Sequence, residues 1–116
     1  MKVKRIVANI ATEDIAKAQR FYGDILGLDV LMDHGWLVTY GSAEKMTAQV
    51  GVATQGGSDT PVPDLSIEVD NVEEALARIK KAKVKIEYGP ANEPWNVRRF
   101  FVRDPFGKLV NILVHL

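Results

Sequence analysis

The side chains of this chain that can do chemistry include carboxylates, amides, arginines and two tryptophans. The densest group is the segment Glu93-Pro-Trp-Asn-Val-Arg-Arg99. Trp95 can stack there on a planar molecule, while Arg98 or Arg99 pairs with an anionic or carbonyl group. The alternative is that Trp95 plugs a sheet edge against a partner subunit. Because the chain has no Cys, disulfides, thiol nucleophiles, thiolate zinc sites and iron–sulfur clusters are excluded.

The composition of the chain also limits the kinds of partner that it is expected to bind. The 15 Lys and Arg residues balance 15 Asp and Glu residues, and no basic face or charged tail is evident, so nucleic acid is not an expected partner. No segment approaches the roughly 20 apolar residues that span a bilayer, and the N-terminus lacks a signal-peptide pattern. We therefore expect a cytoplasmic protein without membrane contact. A chain of 116 residues, 47% of them hydrophobic, suits a single domain over residues 1–116.

The elements that must position these side chains follow from periodicity. Ile6, Ala8 and Ile10 alternate with their neighbours, which predicts a first strand. From Asp14 onwards apolar residues recur every three or four positions up to Leu26, which predicts an α-helix of about three turns that ends at Gly27. Strands are predicted at 28–32, 36–40 and 47–53, with turns at 33–35 and 41–45.

The same order of elements restarts after a linker at 56–63. Residues 65–69 alternate as a strand, and Asp70 with Glu73 forms a capping-box-like pair that opens a second helix. Strands are predicted at 84–88, 97–103 and 109–116, and 88–95 reads as a long, proline-marked connection. A shift of 57 residues places Val7 on Asp64. We therefore predict an α+β fold of two β-α-β-β-β modules, residues 1–55 and 64–116.

A tight turn at Asp104-Pro-Phe-Gly107 sets the predicted register of the last hairpin, because Pro fixes an early φ and Gly tolerates a late positive φ. If Asp104 faces Gly107, Phe100 lies opposite Asn111 and Arg98 lies opposite Leu113. Each opposed pair shares one face of the sheet.

Two segments resemble the vicinal oxygen chelate superfamily, which contains glyoxalase I, bleomycin-resistance proteins and extradiol dioxygenases. They are Asp14-Ile-Ala-Lys-Ala-Gln-Arg-Phe-Tyr-Gly-Asp-Ile-Leu-Gly-Leu28 and Phe100-Phe-Val-Arg-Asp-Pro-Phe-Gly-Lys-Leu-Val-Asn-Ile112. The resemblance implies that both modules pair into one cupped mixed sheet with the helices outside. Exposed sheet edges and an open cup predict a homodimer, as in small superfamily members.

The resemblance also places the site on the inside of that cup. Strand parity assigns to this face Asn9, Gln49, Asp64, Glu68, Arg98, Phe100 and Asn111, with Trp36, Tyr40 and Trp95 near its mouth. Aromatic walls with a few polar groups are typical of small-molecule sites. The alternative is that this polar face is exposed to solvent and binds no ligand, since one face of an antiparallel sheet is often solvated.

The family's metal-ligand positions fall here on Val7, on Gln49 or Gly51, on Asp64 and on Asn111. The usual His and Glu ligands are absent, so we predict no metal and no cofactor. A set of Asp64, Glu68 and His115 is the remaining route to a metal site. We therefore expect a metal-independent protein that binds a small planar or polar organic ligand. The alternatives are a metal-assisted lyase, isomerase or dioxygenase of glyoxalase type, and a metal-free acid–base enzyme using Glu68 or Asp64.

Overall fold

A computed structural model describes residues 1–25, 27–42 and 49–116, without the side chain of Phe21. Its elements in chain order are β1 (Val3–Ala11), a π-helix (Gln19–Ile25), β2 (Asp29–Asp33), β3 (Leu37–Gly41), β4 (Gln49–Ala53), β5 (Leu65–Val69), α1 (Val72–Lys81), β6 (Ile86–Glu93), β7 (Val97–Arg103) and β8 (Leu109–His115). Each half runs strand, helix and three strands, which confirms the predicted repeat and the α+β class. Residues 26 and 43–48, which include parts of the predicted helix, strand and turn, lie outside the described residues.

The strands form a mixed sheet in the order β2-β3-β4-β1-β5-β8-β7-β6. Contacts divide the chain into two compact units, of which the C-terminal one comprises Met1–Ile6 with Pro63–Leu116 and the N-terminal one comprises Val7–Val62. Each unit is described by itself below. No helix among the described residues has the length and apolar character needed to cross a membrane.

In the C-terminal unit, β8 lies between β5, which is parallel to it, and β7, which is antiparallel. Helix α1 covers one face of these strands. The core on that face contains Val69, Val72, Ala75, Leu76, Phe100, Val102 and Val110. We call this side the helix face and the other side of the same strands the open face.

The N-terminus of α1 differs from the predicted capping box. Asn71 is the N-cap, and its side chain accepts a hydrogen bond from the Glu74 backbone N–H at 3.0 Å. Asp70 instead exchanges bonds with Lys2: its Oδ1 accepts the Lys2 N–H at 2.7 Å, and its own N–H donates to the Lys2 carbonyl. Asp70 therefore joins the start of β1 to the end of β5 by hydrogen bonds, and Asn71 is the N-cap in its place.

The connection predicted at 88–95 is also different, because β6 continues through most of it to Glu93. Pro90 is tolerated because β6 stands at the end of the strand order, where a missing N–H costs no ladder bond. The pairing of β6 with β7 shifts register around Tyr88 and Ala91.

The predicted register of the last hairpin is wrong by one residue. Asp104 pairs with Lys108, not Gly107: the Asp104 N–H donates to the Lys108 carbonyl at 2.9 Å, and the Asp104 carboxylate accepts the N–H groups of Phe106 and Lys108. This longer loop sets Phe101 opposite Asn111 and Phe100 opposite Ile112. A slip of one residue exchanges the two faces of a strand. Arg98 and Phe100 therefore lie on the helix face.

In the N-terminal unit, the end of β1 pairs in parallel with β4, and β3 lies antiparallel between β4 and β2. Its core contains Ala18, Val38, Tyr40 and Val52. The predicted α-helix is a π-helix over Gln19–Ile25. A π-helix aligns residues five apart, and Gln19 Nε2 donates to Asp24 Oδ1 at 3.2 Å in that spacing.

Candidate functional site

A buried ion pair occupies the open face of the C-terminal unit. Arg99 Nε donates to Glu93 Oε1 at 3.0 Å, and the two side chains are 3% and 4% exposed. The Tyr88 hydroxyl donates to the same carboxylate oxygen at 2.6 Å. Strand pairing explains the cluster, because Glu93 is opposed to Val97 and Tyr88 to Phe101, on the face that Arg99 shares. Both charges are therefore satisfied inside the fold.

Three aromatic rings enclose the Arg99 guanidinium. Its carbon lies 4.8 Å from the Phe101 ring centroid, 4.9 Å from that of Trp95 and 5.4 Å from that of Tyr88. A guanidinium over ring faces is stabilised by the ring quadrupole, more strongly where water is excluded. One face of Trp95 is thus used within the chain, as a cover for the ion pair. The ligand-stacking and edge-plug roles of Trp95 both stay predictions.

A second charged cluster on the same face surrounds Glu68. Arg5 Nε donates to Glu68 Oε1 at 2.8 Å, His115 Nδ1 lies 3.0 Å from Oε2, and Lys4 Nζ lies 3.8 Å away. Burial by itself raises the pKa of Glu68, but the hydrogen bond from His115 and the positive charges of Arg5, His115 and Lys4 outweigh it. The pKa of Glu68 is therefore below its ordinary value, and the side chain is a carboxylate at neutral pH. An anion held in this way is a poor general acid.

The lowered pKa predicts how stability depends on pH. The folded Glu68 holds its proton less tightly than the unfolded one, so its stabilisation is present above the ordinary pKa of 4.5 and is lost as pH falls through the folded value. We expect Glu68→Gln to be less stable than the parent at neutral pH and equal to it once the folded carboxylate is protonated. Urea unfolding from about pH 7 to about pH 3 measures this difference. Glu13→Gln, at an exposed position after β1, is the control, and a deficit for Glu68→Gln that stays constant down to the lowest pH contradicts the assignment.

Asn111 lies on the same strand face as both clusters and has an unsatisfied atom. Its Nδ2 donates to Ser66 Oγ at 3.2 Å, but its Oδ1 is buried without a hydrogen-bond partner among the described residues. The residue is 7% exposed, and its strand neighbours on the face are Ser66 and Phe101. A buried acceptor without a donor costs about 1–3 kcal/mol. Asn111 is the one predicted site residue for which the structure shows an unmet bonding capacity.

The other predicted residues of this unit are divided between the faces. Glu68 and Asn111 share the open face, as predicted. Asp64 is exposed at the start of β5, where its Oδ2 accepts the Leu109 N–H at 2.8 Å. Arg98 pairs with Glu73 of α1 at 2.5 Å, and Phe100 is fully buried in the helix-face core. The register slip explains why both differ from the prediction.

Of the two adjacent arginines, strand parity assigned Arg98 to the site face, but the observed register places Arg99 there. Tyr88 and Phe101 were not predicted. The length of the loop between β7 and β8 decides which residues share this face. Its five residues, 104–108, place the odd-numbered residues of β7 on the face of Asn111. Arg5 was missed because its partner, Glu68, lies 63 residues away.

In the N-terminal unit the predicted residues are likewise divided. Asn9 is paired with Gly51, and its Oδ1 occupies the space that a side chain at position 51 would need. Gln49 lies on the same face by strand parity. Tyr40 is on the opposite face, packed with Ala18 and Val38, because it alternates with Thr39 along β3. Trp36 precedes β3, and its ring stacks on His34 at 5.8 Å.

The donors at the expected metal positions do not fit a divalent transition metal. Val7 is a buried apolar side chain, Gly51 has no side chain, and the Asn111 amide is bonded to Ser66. Glu68 and His115 do form a pair, but Asp64 does not join them: the described residues contain no group of three His, Cys, Asp or Glu side chains able to hold a metal. Transition metals favour imidazole, thiolate or several carboxylates. Metal independence stays a prediction, supported by this donor chemistry.

Comparison with known proteins identifies the family. Residues 2–112 match the Glyoxalase/Bleomycin resistance protein/Dioxygenase superfamily. The chain belongs to this superfamily. The match confirms the family that the two sequence segments indicated, and it spans nearly the whole chain. A search of curated proteins finds no match.

Solved structures of similar fold cover almost all of the chain. A structure described as an NAD-dependent benzaldehyde dehydrogenase from Legionella pneumophila has a TM-score of 0.76 and 17% identity, covering 97% of this chain and 100% of that one. A glyoxalase/bleomycin resistance protein/dioxygenase superfamily member from Vibrio splendidus 12B01 has a TM-score of 0.69 and 19% identity, covering 99% and 100%. A Streptomyces coelicolor methylmalonyl-CoA epimerase variant in complex with 2-nitronate-propionyl-CoA has a TM-score of 0.73 and 16% identity, covering 98% and 99%. At these identities the similarity shows a glyoxalase-superfamily fold alone.

Proposed function

We propose that this superfamily member binds a small, planar or polar organic molecule on the open face of its C-terminal unit, without a metal and without altering the ligand. The observation that carries the proposal is the buried, unpaired Oδ1 of Asn111. A ligand N–H or O–H reaches this oxygen after a rotation of the amide, and the bond formed offsets the cost of the orphaned acceptor. Ligand binding would thus use the one polar atom of Asn111 that the fold leaves without a bond.

The charges of the open face indicate the ligand class. Glu68 and Glu93 each have an arginine nitrogen within 3.0 Å, at Arg5 and Arg99 respectively. These two carboxylates are therefore balanced by cations, and neither is left to attract a strongly cationic drug. A neutral, hydrogen-bonding molecule with a flat apolar part suits this face better, because half-buried Trp95 borders it.

The ion pairs of Glu68 also argue against its acting as a catalytic base. Proton abstraction needs a base whose pKa lies near the working pH, and the cationic neighbours of Glu68 move its pKa in the opposite direction. Asp64 is bonded to the backbone of β8 at the strand start. Binding without chemistry is therefore the function that the geometry supports best. The homodimer and the cytoplasmic location remain proposals that rest on the sequence.

The test is a ligand screen combined with a substitution that removes the orphaned oxygen, together with the amide N–H that donates to Ser66. Planar antibiotics and 2-oxo compounds are screened by thermal shift, and each hit is titrated against wild type and Asn111→Leu. Leucine has nearly the shape of asparagine, so we expect the free variant to be as stable as wild type or more stable. Ligand affinity should fall by roughly three- to tenfold.

Asn92→Leu is the matched control, because Asn92 lies on β6 opposite Arg98 and bonds to it, on the helix face. Equal affinity of both variants for every hit overturns the site assignment. Metal analysis of the dialysed protein accompanies the screen. A divalent metal retained at one per chain, together with turnover of a 2-oxo compound, favours the enzymatic alternative.

A further inference from the structure

A groove of about 270 Å³ lies in the N-terminal unit, on the face of β3 that carries Tyr40. Its apolar walls come from two directions: Ile15 and Ala16 precede the π-helix, and Val30 and Val38 belong to β2 and β3. With roughly 30 Å³ per water in the liquid, the volume equals about nine waters. The groove is therefore sized for one small organic group. It lies on the opposite strand face from Asn9 and Gln49, two of the four residues of this unit that the family resemblance assigns to a ligand; Tyr40 is one of the other two.

A polar side chain also lines the groove. Tyr40 is 2% exposed, and it is one of the residues that form the groove wall. The ring is fixed by packing against the core and by Tyr22, whose ring centroid is 5.9 Å away. Buried tyrosine hydroxyls usually have a hydrogen-bond partner. Because Tyr40 lines the groove, a molecule that enters it can supply such a partner.

The polarity of the groove indicates the charge of that molecule. Asp33 lines it at the end of β2, held by the Gly35 N–H, which donates to Asp33 Oδ1 at 2.8 Å. None of the described lining residues is basic. Burial raises the pKa of the Tyr40 hydroxyl, and the negative charges of Asp33 and Asp24 raise it further. The potential at the hydroxyl is therefore negative, which favours a cation over an anion.

We propose that this groove binds a small organic ammonium ion, whose apolar body lies between Ile15, Val30 and Val38 while its N–H groups donate to the Tyr40 hydroxyl and the Asp33 carboxylate. An ammonium group supplies several donors and accepts none, which matches a phenol oxygen and a carboxylate. The aliphatic walls exclude water from the rest of the molecule. This site is independent of the proposed function of the C-terminal unit.

The experiment uses 2-phenylethylammonium as the probe, followed by ¹H–¹⁵N NMR titration of the full chain. Two compounds of similar size serve as comparisons: neutral 2-phenylethanol and anionic 3-phenylpropionate. We expect the ammonium to shift the resonances of residues 15–19, 30–33 and 35–40, with millimolar affinity. The alcohol should bind more weakly and the carboxylate weakest of all. Equal affinity for all three compounds overturns the charge assignment.

Two substitutions locate the site without disturbing the fold. Tyr40→Phe keeps the packed ring and removes the hydroxyl, so the variant should fold normally and bind the probe roughly two- to tenfold more weakly. Asp33→Asn should weaken binding about two- to fivefold, the range for a partly exposed ion pair. Asp59→Asn is the control, because Asp59 is an exposed acid of the same unit whose φ of 60° asparagine tolerates. Absence of shifts in the groove, or unchanged affinity in both Tyr40→Phe and Asp33→Asn, overturns the proposal.

Discussion

Replacing Arg99 by methionine is expected to lower the free energy of unfolding by about 3–5 kcal/mol, the usual cost of removing one partner from a buried ion pair. The substitution leaves the Glu93 carboxylate, which is 4% exposed, without its cation, while the Tyr88 hydroxyl still donates to it. It also removes the cation from between three aromatic rings. Urea unfolding followed by circular dichroism measures the loss.

Arg98→Met is the matched control, because the two arginines are adjacent in sequence but lie on opposite faces of β7. Arg98 is 29% exposed and pairs with Glu73, which is 61% exposed. An ion pair of this kind contributes at most about 1 kcal/mol. Equal losses for Arg98→Met and Arg99→Met would show that the register of the last hairpin is wrong. A double-mutant cycle with Glu93→Gln should give a coupling energy of about 0.5–3 kcal/mol.

Phe100→Ala is expected to lower the free energy of unfolding by about 3–5 kcal/mol, as truncation of a buried phenylalanine does. Phe100 is 0% exposed and packs in the core beneath α1 with Leu76 and Val102. Its removal leaves a cavity that the strands β7 and β8 cannot close without moving the helix. The slope of unfolding free energy against urea should stay close to that of wild type.

Phe106 provides the control for this experiment, since it is the same residue type in the loop after β7 and is 84% exposed. Phe106→Ala should change stability by no more than about 0.5 kcal/mol. A small effect of Phe100→Ala, combined with lost binding of a hit from the ligand screen, would return Phe100 to the ligand face.

The order of elements was predictable because it depends on local periodicity. Alternation in residues 65–69 and the apolar spacing of Val72, Ala75 and Leu76 each point to one element, and the structure contains both. The repeat at 57 residues followed from the same patterns. Family membership was predictable from two segments, since their turn and helix-end residues are tied to backbone geometry.

The sheet face on which each β7 side chain lies was harder to predict, because it depends on the exact number of residues in the loop between β7 and β8. Reading the turn as ending at Gly107 gave the wrong parity for Arg98 and Phe100, although the strand itself was identified. The π-helix was missed for a similar reason, since apolar residues three and four apart also fit an α-helix. Contacts between distant segments, such as Arg5 with Glu68, have no local signal in the sequence.

The two tryptophans are divided between the units, with Trp36 in the N-terminal one and Trp95 in the C-terminal one. Each unit therefore carries its own fluorophore. Trp95 emission reports on the guanidinium 4.9 Å from its ring, and Trp36 emission reports on the stacked imidazole of His34. Single-tryptophan versions of the chain can thus follow the melting of each half separately, and coincident transitions are the signature of one cooperative folding unit.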